Sequence, residues 1–218
     1  MRKILLLTLS IVFISCQQKV ESPAKKAMVV SAHSLASDIG LNILKKGGNA
    51  FDAAIAVNYA LAIAYPRAGN IAGGGFMLYR TAAGDLGSLD FREMAPKASY
   101  RDMYLDSSGN LIEDASTLGA TAVAVPGAVA GMEAIYQRFA SMEMSELLKE
   151  SIELAQKGFA IKKAQADKWD QYRELFIKVN SESIPYVKDE LWEEADTFKL
   201  PELAYTLELI VEQGAKGF

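Results

Sequence analysis

The chain has 218 residues, half of them hydrophobic, which is ample for a buried core and for one domain or two. Its 23 basic and 27 acidic residues give a net charge of −4, and no basic block or basic-aromatic interleaving occurs, which argues against nucleic acid as a partner. A single cysteine, Cys16, excludes disulfides within the chain, and there is no low-complexity tract or repeat of fixed period.

The first fifteen residues read as a targeting segment. Arg2 and Lys3 precede an apolar run from Ile4 to Ile14. That run is shorter than the ~20 residues a membrane-spanning helix needs, but it suits a secretory signal. It ends Phe13-Ile14-Ser15-Cys16, which resembles a bacterial lipoprotein processing site, with Phe13 where leucine is usual. The resemblance implies that Cys16 is the first mature residue, that it carries lipid, and that it anchors the protein to a membrane of the periplasm or cell envelope. An ordinary signal peptide containing a cysteine is the alternative. Residues 16–27 then form a short polar tether, and 28–218 the folded part.

Met28 to Ala32 reads as a short buried strand. Ser34 is a candidate N-cap for a helix whose apolar residues Leu35, Ile39 and Ile43 recur every four positions, and Gly47-Gly48 ends it. Asn49 caps a second helix, with Asp52 placed favourably near its positive end. From Ala50 to Ala64 that helix is apolar on nearly every face and holds seven alanines, so it belongs at the centre of a layered core. His33, the only histidine, has no metal-ligand spacing and reads as a structural cap. No cofactor or metal is expected.

Pro66 stops the helix. Arg67 follows; it is a surface residue by default and could otherwise meet an anionic ligand. Gly73-Gly74-Gly75 lacks the GxxxxGK pattern and leads into a strand, so the glycines serve a tight turn with close backbone approach rather than phosphate binding. Strands are expected over Phe76 to Thr81 and Leu86 to Phe91. Beyond Pro96 the chain is irregular to about Thr117; helices follow from Pro126-Gly127 to Phe139, Ser145 to Gln156, Lys162 to Val179, and from Pro201 to Gly214.

In Leu89-Asp90-Phe91-Arg92-Glu93-Met94-Ala95-Pro96, Arg92 stands where a strand ends and a loop begins. A rigid element then holds its base while its head stays available, and the planar guanidinium matches a carboxylate in a bidentate way. The plain alternative is that Arg92 pairs with Asp90 or Glu93 and only fixes the loop.

That stretch resembles the arginine-bearing motif of the gamma-glutamyltranspeptidase family. The likeness extends, in the family's order, to Met28-Val29-Val30-Ser31-Ala32-His33, the run from Leu44 to Ala54, Gly73-Gly74-Gly75-Phe76-Met77, Val125 to Gly131, and Pro201 to Glu208. It implies an α/β fold, a four-layer αββα sandwich of the N-terminal nucleophile hydrolase type, only partly contained in this chain. It implies transfer of a gamma-glutamyl group from glutathione or related small molecules to water or an amino acid through a glutamyl-enzyme intermediate. In that family a precursor cuts itself, and the new N-terminal threonine of the small subunit is the nucleophile, its own amine serving as base. No Thr-Thr-His stretch of that kind occurs here, so no residue of this chain is assigned a catalytic role and the chain alone is expected to be inactive. Arg92 would bind the substrate's alpha-carboxylate, with Asp90 and Glu93 orienting it. The small subunit is the implied partner, and without it the Ala50–Ala64 helix is expected to lie bare. Two rivals stand beside this reading: a cephalosporin or glutaryl acylase of the same superfamily, and a non-catalytic lipoprotein that binds a gamma-glutamyl or amino-acid ligand.

Overall fold

The computed structural model describes residues 26–218. The expected signal segment 1–15, Cys16 and most of the 16–27 tether lie outside the described residues.

Helix α1, Ser34–Lys45, buries Ala36, Ile39, Gly40 and Ile43 on one face, and Gly47, at φ +98°, carries the chain out of it. Helix α2, Ala50–Ala64, starts on a reciprocal cap. Asn49 Oδ1 accepts from the N–H groups of Phe51 and Asp52 at 2.7 and 3.0 Å, and Asp52 Oδ2 accepts from the Asn49 N–H at 2.8 Å. Its alanines admit neighbours closely, while Ile55, Tyr59 and Ile63 fill the space between them. Around α2 pack α1, helix α3 (Ala128–Phe139) and helix α4 (Met144–Lys157). Asp52 also ties the α3–α4 connection to this centre, accepting from the Ser141 N–H at 3.0 Å, the Ser141 hydroxyl and the Met142 N–H.

Strands β1, Phe76–Arg80, and β2, Leu86–Asp90, form an antiparallel ribbon in the register Phe76↔Asp90, Leu78↔Ser88, Arg80↔Leu86. The period of two turns Met77, Tyr79 and Leu89 inward. Tyr79 closes an aromatic group with Phe51 and Phe139, at ring separations of 5.7 and 4.8 Å. Phe76, Leu78 and Leu86 face outward and are exposed. A second ribbon pairs β3, Phe159–Ala160, with β4, Thr197–Phe198. Helix α5, Lys163–Val179, lies outside and buries only Ala166 and Trp169. The irregular segment 181–196 folds back so that Tyr186 and Trp192, with Phe198 of β4, surround the Trp169 ring at 5.7, 5.1 and 4.4 Å. Helix α6, Pro201–Gln213, opens with proline in its first turn and packs on α4.

The fold is α/β, and of the four-layer sandwich the described residues hold helices and two two-stranded ribbons. Three expectations are corrected. Met28 to Ala32 is not a buried strand: no neighbour hydrogen-bonds it in a ladder among the described residues, and Val30 is 80% exposed. The N-cap of α1 is His33 rather than Ser34. Helix α2 is not bare, because α1, α3 and α4 cover most of it; Phe51 and a stripe through Ala50, Ala54, Val57, Asn58 and Leu61 stay partly open. Exposed apolar side chains include three on the ribbon, Phe76, Leu78 and Leu86, of which Leu78 is 85% exposed.

Candidate substrate-binding site

The chain reaches Arg92 through a well-anchored backbone. After β2, Phe91 adds a further rung: its N–H donates to the Gly75 carbonyl at 3.0 Å and its carbonyl accepts from the Gly75 N–H at 3.4 Å. Asp90 Oδ1 then accepts from the Arg92 N–H at 2.9 Å. Two residues on, Met94 and Val125 exchange backbone hydrogen bonds of 3.1 and 2.8 Å. Arg92 is thus pinned from both sides.

Its side chain is treated differently. The residue is exposed, and among the described residues its guanidinium forms no ion pair with Asp90, Glu93 or any other acid. Asp90 orients the backbone of Arg92 rather than its head. A guanidinium with a rigid base and uncommitted donors is suited to an anionic ligand, above all a planar carboxylate.

The glycine run does what close approach requires. The Gly73 carbonyl accepts from the N–H groups of Gly127 and Ala128, both at 2.8 Å, which ties this loop to the start of α3. Gly74 and Gly75 lie directly on residues 91–93. From the other side Gly127 and Gly131 press on Phe91. Sequence reasoning read a tight turn with close approach at Gly73-Gly74-Gly75, and quoted the motif Val125 to Gly131 without assigning its two glycines a packing role. The available signal was their spacing, since residues four apart share one helix face.

The remaining candidates are placed elsewhere. His33 Nδ1 accepts from the Leu35 N–H at 3.3 Å, a cap as expected, and its ring meets Phe159 edge-on. Burial, and then the nearby Lys162, hold its pKa below the ordinary 6.5. Arg67 is exposed and lines a hollow with Lys168, Trp169, Tyr172 and Phe176 that does not include Arg92. No group of three or more metal-ligating side chains occurs among the described residues. The arrangement is an exposed guanidinium on a fixed backbone, carried by an α/β scaffold.

The family model described as Gamma-glutamyltranspeptidase matches residues 36–218. The chain is 44% identical over 197 residues to the glutathione hydrolase proenzyme of Pseudomonas sp. (strain A14), covering 89% of this chain and 34% of that protein. It is 40% identical over 197 residues to the glutathione hydrolase proenzyme of Escherichia coli (strain K12), with the same coverage of each. The solved gamma-glutamyltranspeptidase of Helicobacter pylori superposes with a TM-score of 0.86 at 42% identity, over 90% of this chain and 57% of that one. The fold is therefore that of the N-terminal nucleophile hydrolases. Within that class, the chain belongs to the gamma-glutamyltranspeptidase family. It spans about a third of the length of the curated relatives it matches.

Proposed function

We propose that this chain is the carboxylate-anchoring part of an enzyme that moves gamma-glutamyl groups from glutathione or related compounds to water or amino acids through a glutamyl-enzyme intermediate. The observation that carries the reading is Arg92: a backbone fixed on both sides, an exposed guanidinium and no acidic partner among the described residues. A guanidinium gripping the alpha-carboxylate sets the register of the substrate, and so places the distant gamma-carbonyl where a nucleophile attacks. The names of the matched relatives support the reaction class. A glutaryl acyl chain would offer Arg92 a carboxylate at the same distance and lacks only the alpha-amino group, so it is the glutathione hydrolase names of the matched relatives that favour the glutamyl reading.

The nucleophile belongs to a small subunit made by self-cleavage, a reading that the proenzyme names of the relatives support. The outward face of the ribbon, with Phe76, Leu78 and Leu86 exposed side by side, is the surface that subunit would cover. The 218 residues alone are expected to read at background in a gamma-glutamyl anilide assay. The membrane is the other partner, reached through a lipid on Cys16. Cys16→Ser should release the protein from the membrane fraction of its host; unchanged fractionation and mass would rule the anchor out.

The decisive test of the anchor is Arg92→Lys in the complete, processed protein. Lysine keeps the charge but loses the fork, so KM for a gamma-glutamyl anilide should rise by about tenfold or more. The loss should shrink for an analogue without the alpha-carboxylate. A kcat/KM within about twofold of the parent would sink the assignment.

A further inference from the structure

We propose that Gly74, Gly127 and Gly131 are positioning residues for the Arg92 guanidinium, acting on it through the Phe91 ring and the backbone of residues 91–93. The proposal rests on the carboxylate-binding reading of Arg92. It concerns what holds that side chain at its working position.

A Cβ on Gly74 would stand 2.6 Å from the Phe91 carbonyl oxygen, 2.7 Å from the Glu93 nitrogen and 2.8 Å from Arg92 Cα. One on Gly127 would collide with the same carbonyl oxygen and stand 3.1 Å from the Arg92 carbonyl oxygen. One on Gly131 would overlap the root of the Phe91 ring, 2.6 Å from Cδ2 and 2.7 Å from Cβ. Real Cβ atoms essentially never come within 3.0 Å of another heavy atom in this way. Every one of these contacts is with backbone or with the stem of a ring. A methyl group can therefore be housed only by moving residues 91–93 themselves.

No other demand explains the three glycines. None has a positive φ, so left-handed backbone is not the reason. Gly131 lies inside α3, where alanine would favour the helix by about 1 kcal/mol. Its absence of a side chain runs against helix propensity, and the object in the way is Phe91. Helix α3 is in turn anchored in the core by Val129, Met132 and Ile135, and its start is hydrogen-bonded to Gly73. Rigidity thus passes from the core through α3 to Phe91, and from Phe91 to the next residue, Arg92. Phe91 is half-buried and Arg92 exposed, so the ring is the last fixed object before the free head. A displacement of about 1 Å at such a base is enough to cost up to ~10²-fold in a positioned reaction.

The experiment uses the complete, processed protein with Gly131→Ala, Phe91→Leu, Arg92→Lys and the Gly131→Ala/Arg92→Lys double variant. Gly131→Ala should raise KM for a gamma-glutamyl anilide about tenfold, with kcat within about threefold, and should leave an analogue lacking the alpha-carboxylate nearly unaffected. Phe91→Leu adds no bulk, so it serves where Gly131→Ala folds poorly, and it should shift KM the same way. In the Arg92→Lys background the added effect of Gly131→Ala should fall below about twofold, because the group it positions has gone. Gly40→Ala, which crowds Val57 and Val29 at the α1–α2 crossing, controls for a methyl forced into any packed glycine and should leave KM unmoved. Additive effects in the double variant, or a fall in kcat at constant KM as expected from a lost active fraction, would overturn the proposal. If Arg92→Lys itself leaves KM unchanged, the carboxylate reading falls. If it raises KM while Gly131→Ala and Phe91→Leu do not, only the positioning role falls.

Discussion

Asp52 and Arg92 each stand at the end of a regular element, and the molecule treats them in opposite ways. Asp52 is fully buried, and donors from Asn49, Ser141 and Met142 converge on its two oxygens. Arg92 has an equally well-fixed backbone, yet its head projects from the surface and meets no acid among the described residues. A polar group whose partners are all supplied locally is structural, because the fold has already used its bonding capacity. A cation held as firmly but left without partners retains that capacity for something outside the chain. Residue type does not separate the two cases; satisfaction does.

The comparison breaks most visibly on stability. Asp52→Ala strands the Asn49 and Ser141 N–H groups at a part-buried junction and loses Asp52's half of the reciprocal cap of α2. Unpaired buried donors cost about 1–3 kcal/mol each, so the variant should lose roughly 3–4 kcal/mol. Arg92→Ala should stay within about 0.5 kcal/mol of the parent, as exposed substitutions do. Chemical denaturation of the two variants side by side checks the contrast; equal losses would mean that Arg92 has structural partners after all.

The two faces of the β1–β2 ribbon repeat the contrast in apolar form. Tyr79 is satisfied by Phe51 and Phe139, whereas Leu78, its neighbour in the strand, meets only solvent. Leu78→Lys should leave the stability of the 218-residue chain within about 0.5 kcal/mol. In the complete protein, on the proposed docking of the small subunit, it should lower the yield of processed, active enzyme several-fold, read by subunit separation and activity. A fully active, fully processed Leu78→Lys protein would remove the ribbon from the proposed docking surface.

These contrasts also divide what the sequence disclosed from what it hid. Helices α1, α2 and α6 announce themselves through period, caps and glycine stops, because those signals act between residues fewer than five apart. The placement of Arg92 just after a strand was legible for the same reason: strand, acid, arginine and proline follow one another in one short stretch. Hidden were the contacts that join distant segments. Nothing local at Ser141 points to Asp52, and nothing in the segment from 181 to 198 shows that Tyr186, Trp192 and Phe198 close on Trp169. Met28 to Ala32 misled because its short apolar run fits a buried strand, while a strand is completed only by a neighbour's hydrogen bonds.

The smallest effect is expected at His33, a polar group satisfied by a single bond. Its Nδ1 accepts from the Leu35 N–H, and only the neutral ring can do so, because both nitrogens of a protonated imidazole are donors. Burial and the charge of Lys162 also disfavour the proton, so the pKa in the folded chain lies below 6.5. The unfolded chain has no such constraint and takes up its proton first as the pH falls through about 6.5. Where the unfolded state binds more protons, stability decreases with decreasing pH. The contribution of His33 is thus complete above about pH 7.5, declines as the pH drops through 6.5, and levels off below the folded-state pKa. Asparagine caps equally well and does not titrate, so His33→Asn should match the parent at pH 8. At pH 5 it should exceed the parent by up to about 1 kcal/mol, the usual worth of a cap. Denaturant titrations of both proteins at the two pH values measure that difference of differences. A gap that stays constant between pH 8 and pH 5 would show that the imidazole is protonated equally in both states, and that its bond to Leu35 contributes nothing to holding the start of α1.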